Sequence, residues 1–174
     1  ALTNMLKYYG FNMAKNTIIS NYLAYHSYNF VDFYMGSPKS AGWEMAPGIV
    51  SVCSNFLTSN GSTLRTYNVT GKNLDSLFAY VERGHPVVIW TSLAMGSLGG
   101  SVSSYQGYNA YVNSHTVLLT GFDRAAGIVS LADSIYGNVS YPISRVASIY
   151  SQQSSQAVVL ISQAELDLWV QGID

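Results

Sequence analysis

The sequence is short of the residues on which most chemistry and many partners depend. It holds one cysteine, Cys53, in 174 residues, which excludes an internal disulfide framework and a zinc site built from several thiolates. Its three histidines, His26, His85 and His115, are scattered. No two of them stand at ligand spacing on a helix, so neither a structural metal nor a cofactor is expected. Lys, Arg, Asp and Glu together reach only 10%, against roughly 25% in an average soluble domain. The net charge is -1 and there is no basic run. Phosphate backbones are held by clustered Lys and Arg, so a nucleic-acid partner is not expected. No apolar run approaches the roughly 20 residues of a membrane span.

Tyr, Ser, Asn and Gly fill the places that charges leave, beside a 48% apolar content that is enough for one core without staples. An uncharged polar surface of this kind is common in exported proteins, so a secreted or cell-surface location is expected. The three sequons at Asn60, Asn68 and Asn138 matter only in a source that glycosylates exported proteins.

Leu2, Met5, Leu6 and Tyr9 recur at helical spacing, with Gly10 as a stop. That helix opens in mid-stripe at Ala1 with no cap residue before it. A helix must find partners for its first four N–H groups, so its start is expected upstream of Ala1. Further helices are expected over Lys15–Leu23, from Pro47 to Asn60, and after Asn73 as a cap, with Leu74, Leu77, Phe78 and Val81 on one face. Pro142–Tyr150 also has a helical pattern. Ser62–Val69, Val87–Trp90 and Gln156–Ile161 read as strands. His115–Phe122 and Ile128–Ala132, joined through Asp123–Gly127, read as a hairpin. The stretches Ala24–Trp43 and Leu93–Asn113 are rich in Gly, Ser and Tyr and are expected as loops. Ser162 and Glu165 have capping-box spacing before a short helix. Helices first and antiparallel strands afterwards give an α+β fold, with one domain over residues 1–162 and a helical tail over 163–174.

His115 heads one strand of the expected hairpin and Asp133 ends the other. A carboxylate there could accept the imidazole N–H, fix its tautomer and stabilise its charged form, which is the base-and-orienter half of a nucleophilic triad. By spacing alone, a histidine beside a strand is more often structural. Cys53 lies inside an apolar helical stripe, without the helix N-terminus, cation or solvent access that activates a thiol, and is expected in the core. His85, in Gly84-His85-Pro86, suits a solvated turn. His26 could line a cleft, though a surface position fits it better. Trp90 suits the core or a cleft floor, and Asp123 a turn. Asp32 and Glu44 have no partner at a telling spacing.

Five segments together resemble the bacteriocin-processing-peptidase-like domains, a bacterial family of papain-like cysteine peptidases. Ala1-Leu2-Thr3-Asn4-Met5-Leu6-Lys7-Tyr8-Tyr9-Gly10 is similar to the helix that follows the family's nucleophile. Gly84-His85-Pro86-Val87-Val88-Ile89-Trp90 is similar to its G-x-P-V-I-V-W strand. Ser114 to Asp123 is similar to the segment that carries its histidine, and Leu131 to Gly137 to the segment that carries the third residue. Gln156–Val159 is similar to its last strand. Ser134 stands where the family usually has Pro.

The resemblance implies a papain-like fold, with the N-terminal helices packed on a mainly antiparallel sheet. It implies His115 as general base and Asp133 as its orienter. The nucleophilic Cys and an oxyanion-hole Gln would lie just upstream of Ala1, so that Cys53 is not the nucleophile. The expected function is peptide-bond hydrolysis on a peptide or protein substrate in a bacterial, extracytoplasmic setting. The rival expectations are a catalytically inactive peptide-binding or cell-surface module and, more weakly, an amidase or transglutaminase-like enzyme on the same scaffold.

Overall fold

A computed structural model describes residues 1–170 of the chain. The first apolar stripe forms α1 (Leu2–Tyr8), with Met5 and Leu6 fully buried and no side chain capping its start. Gly10 ends it at a φ of +91, a left-handed conformation that glycine adopts without a Cβ clash. Two more helices follow, α2 (Lys15–Asn21) and α3 (Ala46–Ser59). Pro47 lies in the first turn of α3, and Val52, Cys53, Phe56 and Leu57 make its buried face. Asn73 caps α4 (Leu74–Glu82) as expected, accepting the Ser76 N–H at 2.9 Å.

The strands are β1 (Leu64–Asn68), β2 (Val87–Ser92), β3 (Ser101–Tyr105), β4 (Tyr108–Tyr111), β5 (Ser114–Asp123), β6 (Ile128–Asp133), β7 (Gly137–Pro142) and β8 (Ala157–Ser162). Between β7 and β8 lies α5 (Ile143–Gln152), and α6 (Gln163–Val170) follows β8. Six strands form one sheet in the order β1-β8-β2-β5-β6-β7, and every pairing in it is antiparallel. The side-chain period of two splits each central strand between two cores. Val88, Trp90, Leu118, Val158 and Leu160 face α1, α2 and α3, while Val87, Ile89, Val117, Leu119 and Val159 face α4 and α5. The architecture is thus α+β with a mainly antiparallel sheet, and β2 is buried along its whole length because helices cover both of its faces.

Two segments differ from expectation. Leu93–Asn113 is not a loop throughout: it holds a 3-10 turn (Leu93–Met95) and the β3–β4 hairpin. The hairpin turns at Gln106-Gly107, both at positive φ (49 and 81), the geometry whose twist matches paired strands. Its Ser- and Asn-rich strands lack the apolar alternation that would mark them in a sequence. β7, whose Val139 and Tyr141 face the core between exposed Asn138 and Ser140, adds an edge strand beside β6 that was not expected. Of the tail expected over 163–174, α6 packs against β8, with the Glu165 N–H donating to the Ser162 hydroxyl at 3.2 Å; residues 171–174 lie outside the described part.

Leu118 is 2% exposed and packs in the core that seats α1 on the sheet. Leu118→Ala is expected to lower stability by about 2–5 kcal/mol, read as a lower urea midpoint with an unchanged m-value; a midpoint equal to the parent's would show that α1 is not held this way.

Candidate active site

The ladder between β5 and β6 contains one extra residue, and that residue sets the site. From the turn, Asp123 pairs with Ile128, Phe122 with Val129 and Gly121 with Ser130. Beyond that point the pairs become Leu119 with Leu131 and Leu118 with Ala132, so Thr120 is bulged out of register. Its hydroxyl donates to the Ser130 carbonyl at 3.1 Å. Continued by one residue, the shifted register puts Asp133 across from Val117, two positions from His115 and on the same face. Without the bulge Asp133 would oppose Leu118, and its side chain would project from the other face, because a one-residue slip exchanges faces.

The two predicted site residues are accordingly together. His115 Nε2 and Asp133 Oδ1 are 2.9 Å apart, with the His115 side chain 12% exposed and that of Asp133 3%. The same carboxylate oxygen accepts the backbone N–H groups of Ile135 at 2.8 Å and Tyr136 at 3.2 Å in the turn to β7. Burial alone would raise the Asp133 carboxyl. The hydrogen bonds from His115, Ile135 and Tyr136 and the charge of His115 outweigh it and hold the group below its usual range. An ionised Asp133 is an acceptor only, so Nε2 carries the proton in the pair. Nδ1 of a neutral ring is then the basic nitrogen, and it has no hydrogen-bond partner among the described residues.

The backbone under His115 is held by residues that pattern reasoning missed. The Thr91 hydroxyl donates to the His115 carbonyl at 2.9 Å. Gln153, at the end of α5, donates to the Thr91 carbonyl and the Ser114 hydroxyl, both at 2.8 Å. Nothing in a linear sequence connects Gln153 with position 115, since the bond exists only once α5 lies over β2. The start of α1 also reaches this end of the sheet: Ala1 packs on the core and lies within electrostatic range of the Asp133 carboxylate.

The other candidates separate clearly. Cys53 is fully buried on α3, and burial pushes its thiol up to about 11. Asp123 accepts the Ala126 N–H at 3.0 Å and makes the β5–β6 turn. It stands eight residues along β5 from His115, roughly 27 Å at the rise of a strand. His85 is not a solvated turn residue. It is 7% exposed, with Nδ1 2.8 Å from the Tyr9 hydroxyl and Nε2 2.7 Å from Glu165, so it ties the end of α1 to α6. The sequence hid this because both partners are distant in the chain. His26 accepts the Tyr28 and Asn29 N–H groups on Nδ1 within its own loop.

Trp90 is a core residue, 1% exposed, and its indole N–H donates to the Glu44 carbonyl at 2.9 Å. Glu44 is itself buried, with no partner for either carboxyl oxygen among the described residues, and burial pushes it up to about 8. Asp32 accepts from the Asn29 side chain inside its loop. The two Tyr-rich segments Ala24–Trp43 and Leu93–Asn113 meet: the Trp43 indole donates to the Tyr111 carbonyl at 2.8 Å, and the Tyr28 and Tyr105 rings touch edge to face. Among the described residues no group of three or more His, Cys, Asp or Glu side chains could hold a metal ion, and no helix is long and apolar enough to cross a membrane.

Comparison with known proteins bears on this geometry. Residues 1–158 match the Peptidase_C39 like family, and the chain belongs to it. The fold is similar to the crystal structure of a Bacillus anthracis protein described as a C39-like peptidase, with a TM-score of 0.78 at 20% identity, covering 93% of this chain and 86% of that one. No curated protein matches the chain. The α+β arrangement of N-terminal helices on an antiparallel sheet is therefore that of a C39-like peptidase fold.

Two measurements follow from the site. Cys53 is expected to resist iodoacetamide in the folded protein and to react fully in urea, checked by intact mass; rapid labelling of the native protein would contradict its place in the core. Asp133, held below its ordinary range, stabilises the fold above the unfolded carboxyl value of about 3.9, and this is lost as the pH falls through the lower folded value. Asp133→Asn is expected to be about 1–3 kcal/mol less stable at neutral pH. The gap to the parent should close in strong acid, as read from urea melts across pH; a gap that does not change with pH would rule out the charged form as the stabilising one.

Proposed function

We propose that this member of the Peptidase_C39 like family is a cysteine peptidase in which His115 is the general base, Asp133 orients it, and the nucleophilic cysteine lies in the polypeptide just before Ala1. The observation that carries the reading is the His115–Asp133 pair, with Nδ1 uncommitted among the described residues, within electrostatic range of the start of α1. A cysteine at that helix start would meet the positive end of the helix dipole, which favours thiolate. The free N–H groups of the first turn, together with a glutamine nearby, would serve the oxyanion. Cys53, buried and poorly ionised, fits no part of this chemistry.

In the proposed cycle Nδ1 of His115 takes the thiol proton and the thiolate attacks the peptide carbonyl carbon. The imidazolium, held through Nε2 by Asp133, returns the proton to the leaving amine. Water, deprotonated by the same nitrogen, then hydrolyses the thioester and restores the thiol. The Tyr-rich segments Ala24–Trp43 and Leu93–Asn113, which meet through Trp43 and Tyr111, would suit an extended peptide that is held by apolar contact and backbone hydrogen bonds. We place the catalytic unit at residues 1–162 with 163–174 as a tail, and assign the low-charge surface to a secreted or cell-surface bacterial setting.

The test uses the chain extended to include the residues before Ala1. Peptide cleavage is expected to be abolished by iodoacetamide and retained in Cys53→Ala. His115→Ala should slow cleavage by about 10²–10⁴-fold while urea melts still show a folded protein. Full activity of His115→Ala would overturn the assignment. Ser, Asp or Gly at the upstream position, with tight peptide binding and no turnover, would replace the peptidase with the binding module.

A further inference from the structure

His85 joins elements that are distant in the chain. It stands in the turn between α4 and β2 and is buried. Its Nδ1 lies 2.8 Å from the Tyr9 hydroxyl, just past α1, and its Nε2 lies 2.7 Å from Glu165 Oε1 in the first turn of α6. The Tyr9 hydroxyl also donates to the Leu160 carbonyl on β8, at 2.6 Å.

The protons at this junction can be placed by hydrogen-bond chemistry alone. A hydroxyl has one proton to give, and a carbonyl oxygen can only accept. The Tyr9 proton therefore goes to Leu160, and the Tyr9 oxygen meets Nδ1 as an acceptor. Nδ1 must then carry a proton. On the other side of the ring an ionised Glu165 is an acceptor only, so Nε2 must carry one as well. A neutral imidazole has a single N–H. In either tautomer it satisfies one of the two contacts and sets lone pairs against each other at the second. Only the imidazolium donates to both.

The surrounding ionisable groups are few. The Tyr8 hydroxyl lies near Gly84, and Cys53 on α3 is within electrostatic range of Tyr9. On α4, Glu82 is exposed, while Tyr80 and Arg83 pack on Trp169 of α6. Asp167 accepts from Gln163 within α6. Among the described residues, Glu165 is the carboxylate within hydrogen-bonding distance of His85.

We propose that His85 is a proton-operated latch, whose imidazolium fastens α6 to the end of α1 and whose loss of one ring proton releases Glu165. The latch is closed at the lower pH, where the ring holds both protons and Glu165 is ionised. It opens as the pH rises through the histidine titration. Release falls on the Glu165 side because that side chain is 41% exposed and can turn to water, whereas Tyr9 is also held by Leu160. The latch is independent of the peptidase reading, and no covalent bond changes in it.

The test is an NMR titration of the full chain, labelled with nitrogen-15 in the histidine rings and carbon-13 in Leu and Trp. At about pH 6, His85 should carry a proton on both ring nitrogens. As one is lost, the carbon resonances of Leu166 and Trp169 on α6 should change with the same midpoint. Glu165→Gln should remain folded in urea melts and lower that midpoint by about half a pH unit, a threefold change in proton concentration on the scale of a partly exposed ion pair. In His85→Gln the α6 resonances should no longer respond over this range. A single ring proton on His85 at the lower pH, α6 resonances indifferent to its titration, or an unchanged midpoint in Glu165→Gln each overturns the latch.

Discussion

The one-residue bulge at Thr120 is the constraint on which the site depends. A strand alternates its side chains with a period of two, so a single inserted residue changes which face every later position occupies. On the turn side of Thr120 the pairing of β5 with β6 is that of a regular hairpin. On the other side it is displaced by one, and that displacement sets Asp133 on the face of His115 at hydrogen-bonding distance. The pair is then fixed from outside the ladder, by the N–H groups of the β6–β7 turn on the carboxylate and by Thr91 and Gln153 behind the histidine. Three elements far apart in the chain therefore converge on one imidazole, which limits the orientations it can take.

Packing brings the start of α1 to the same rim. Met5 and Leu6 seat α1 against Trp90 and Leu118, while His85 and Glu165 hold its far end through Tyr9. The start of the helix lies within electrostatic range of Asp133.

Much of the fold was legible because its signals are local. Leu2, Met5, Leu6 and Tyr9 mark a helix by period, Asn73 marks a cap by chemistry, and Val87–Trp90 marks a covered strand by its unbroken apolar run. The β3–β4 hairpin was not legible, since Ser103, Ser104 and Asn109 have poor strand preference and Gln106-Gly107 lacks the Asn or Asp that usually announces such a turn. The site was half legible. His115 and Asp133 stood at the ends of neighbouring strands by spacing, but whether they faced each other rested on a bulge that no spacing reveals. His85 was misplaced as a surface residue because its partners, Tyr9 and Glu165, lie 76 and 80 residues away. The burial of Glu44 likewise has no linear signature.

The sequence by itself determined which chemistry was available: one thiol inside an apolar stripe, one histidine heading a strand, one carboxylate ending the next, and too few cations for a nucleic-acid surface. These are properties of composition and short-range pattern, set by side-chain chemistry and by the periods of helix and strand. Only the tertiary structure decided that the histidine and the carboxylate meet and that Cys53 is sealed from them. Those outcomes depend on ladder register and on helix packing over long sequence separations. There a shift of one residue exchanges the faces of a strand, and no local preference is strong enough to choose between them.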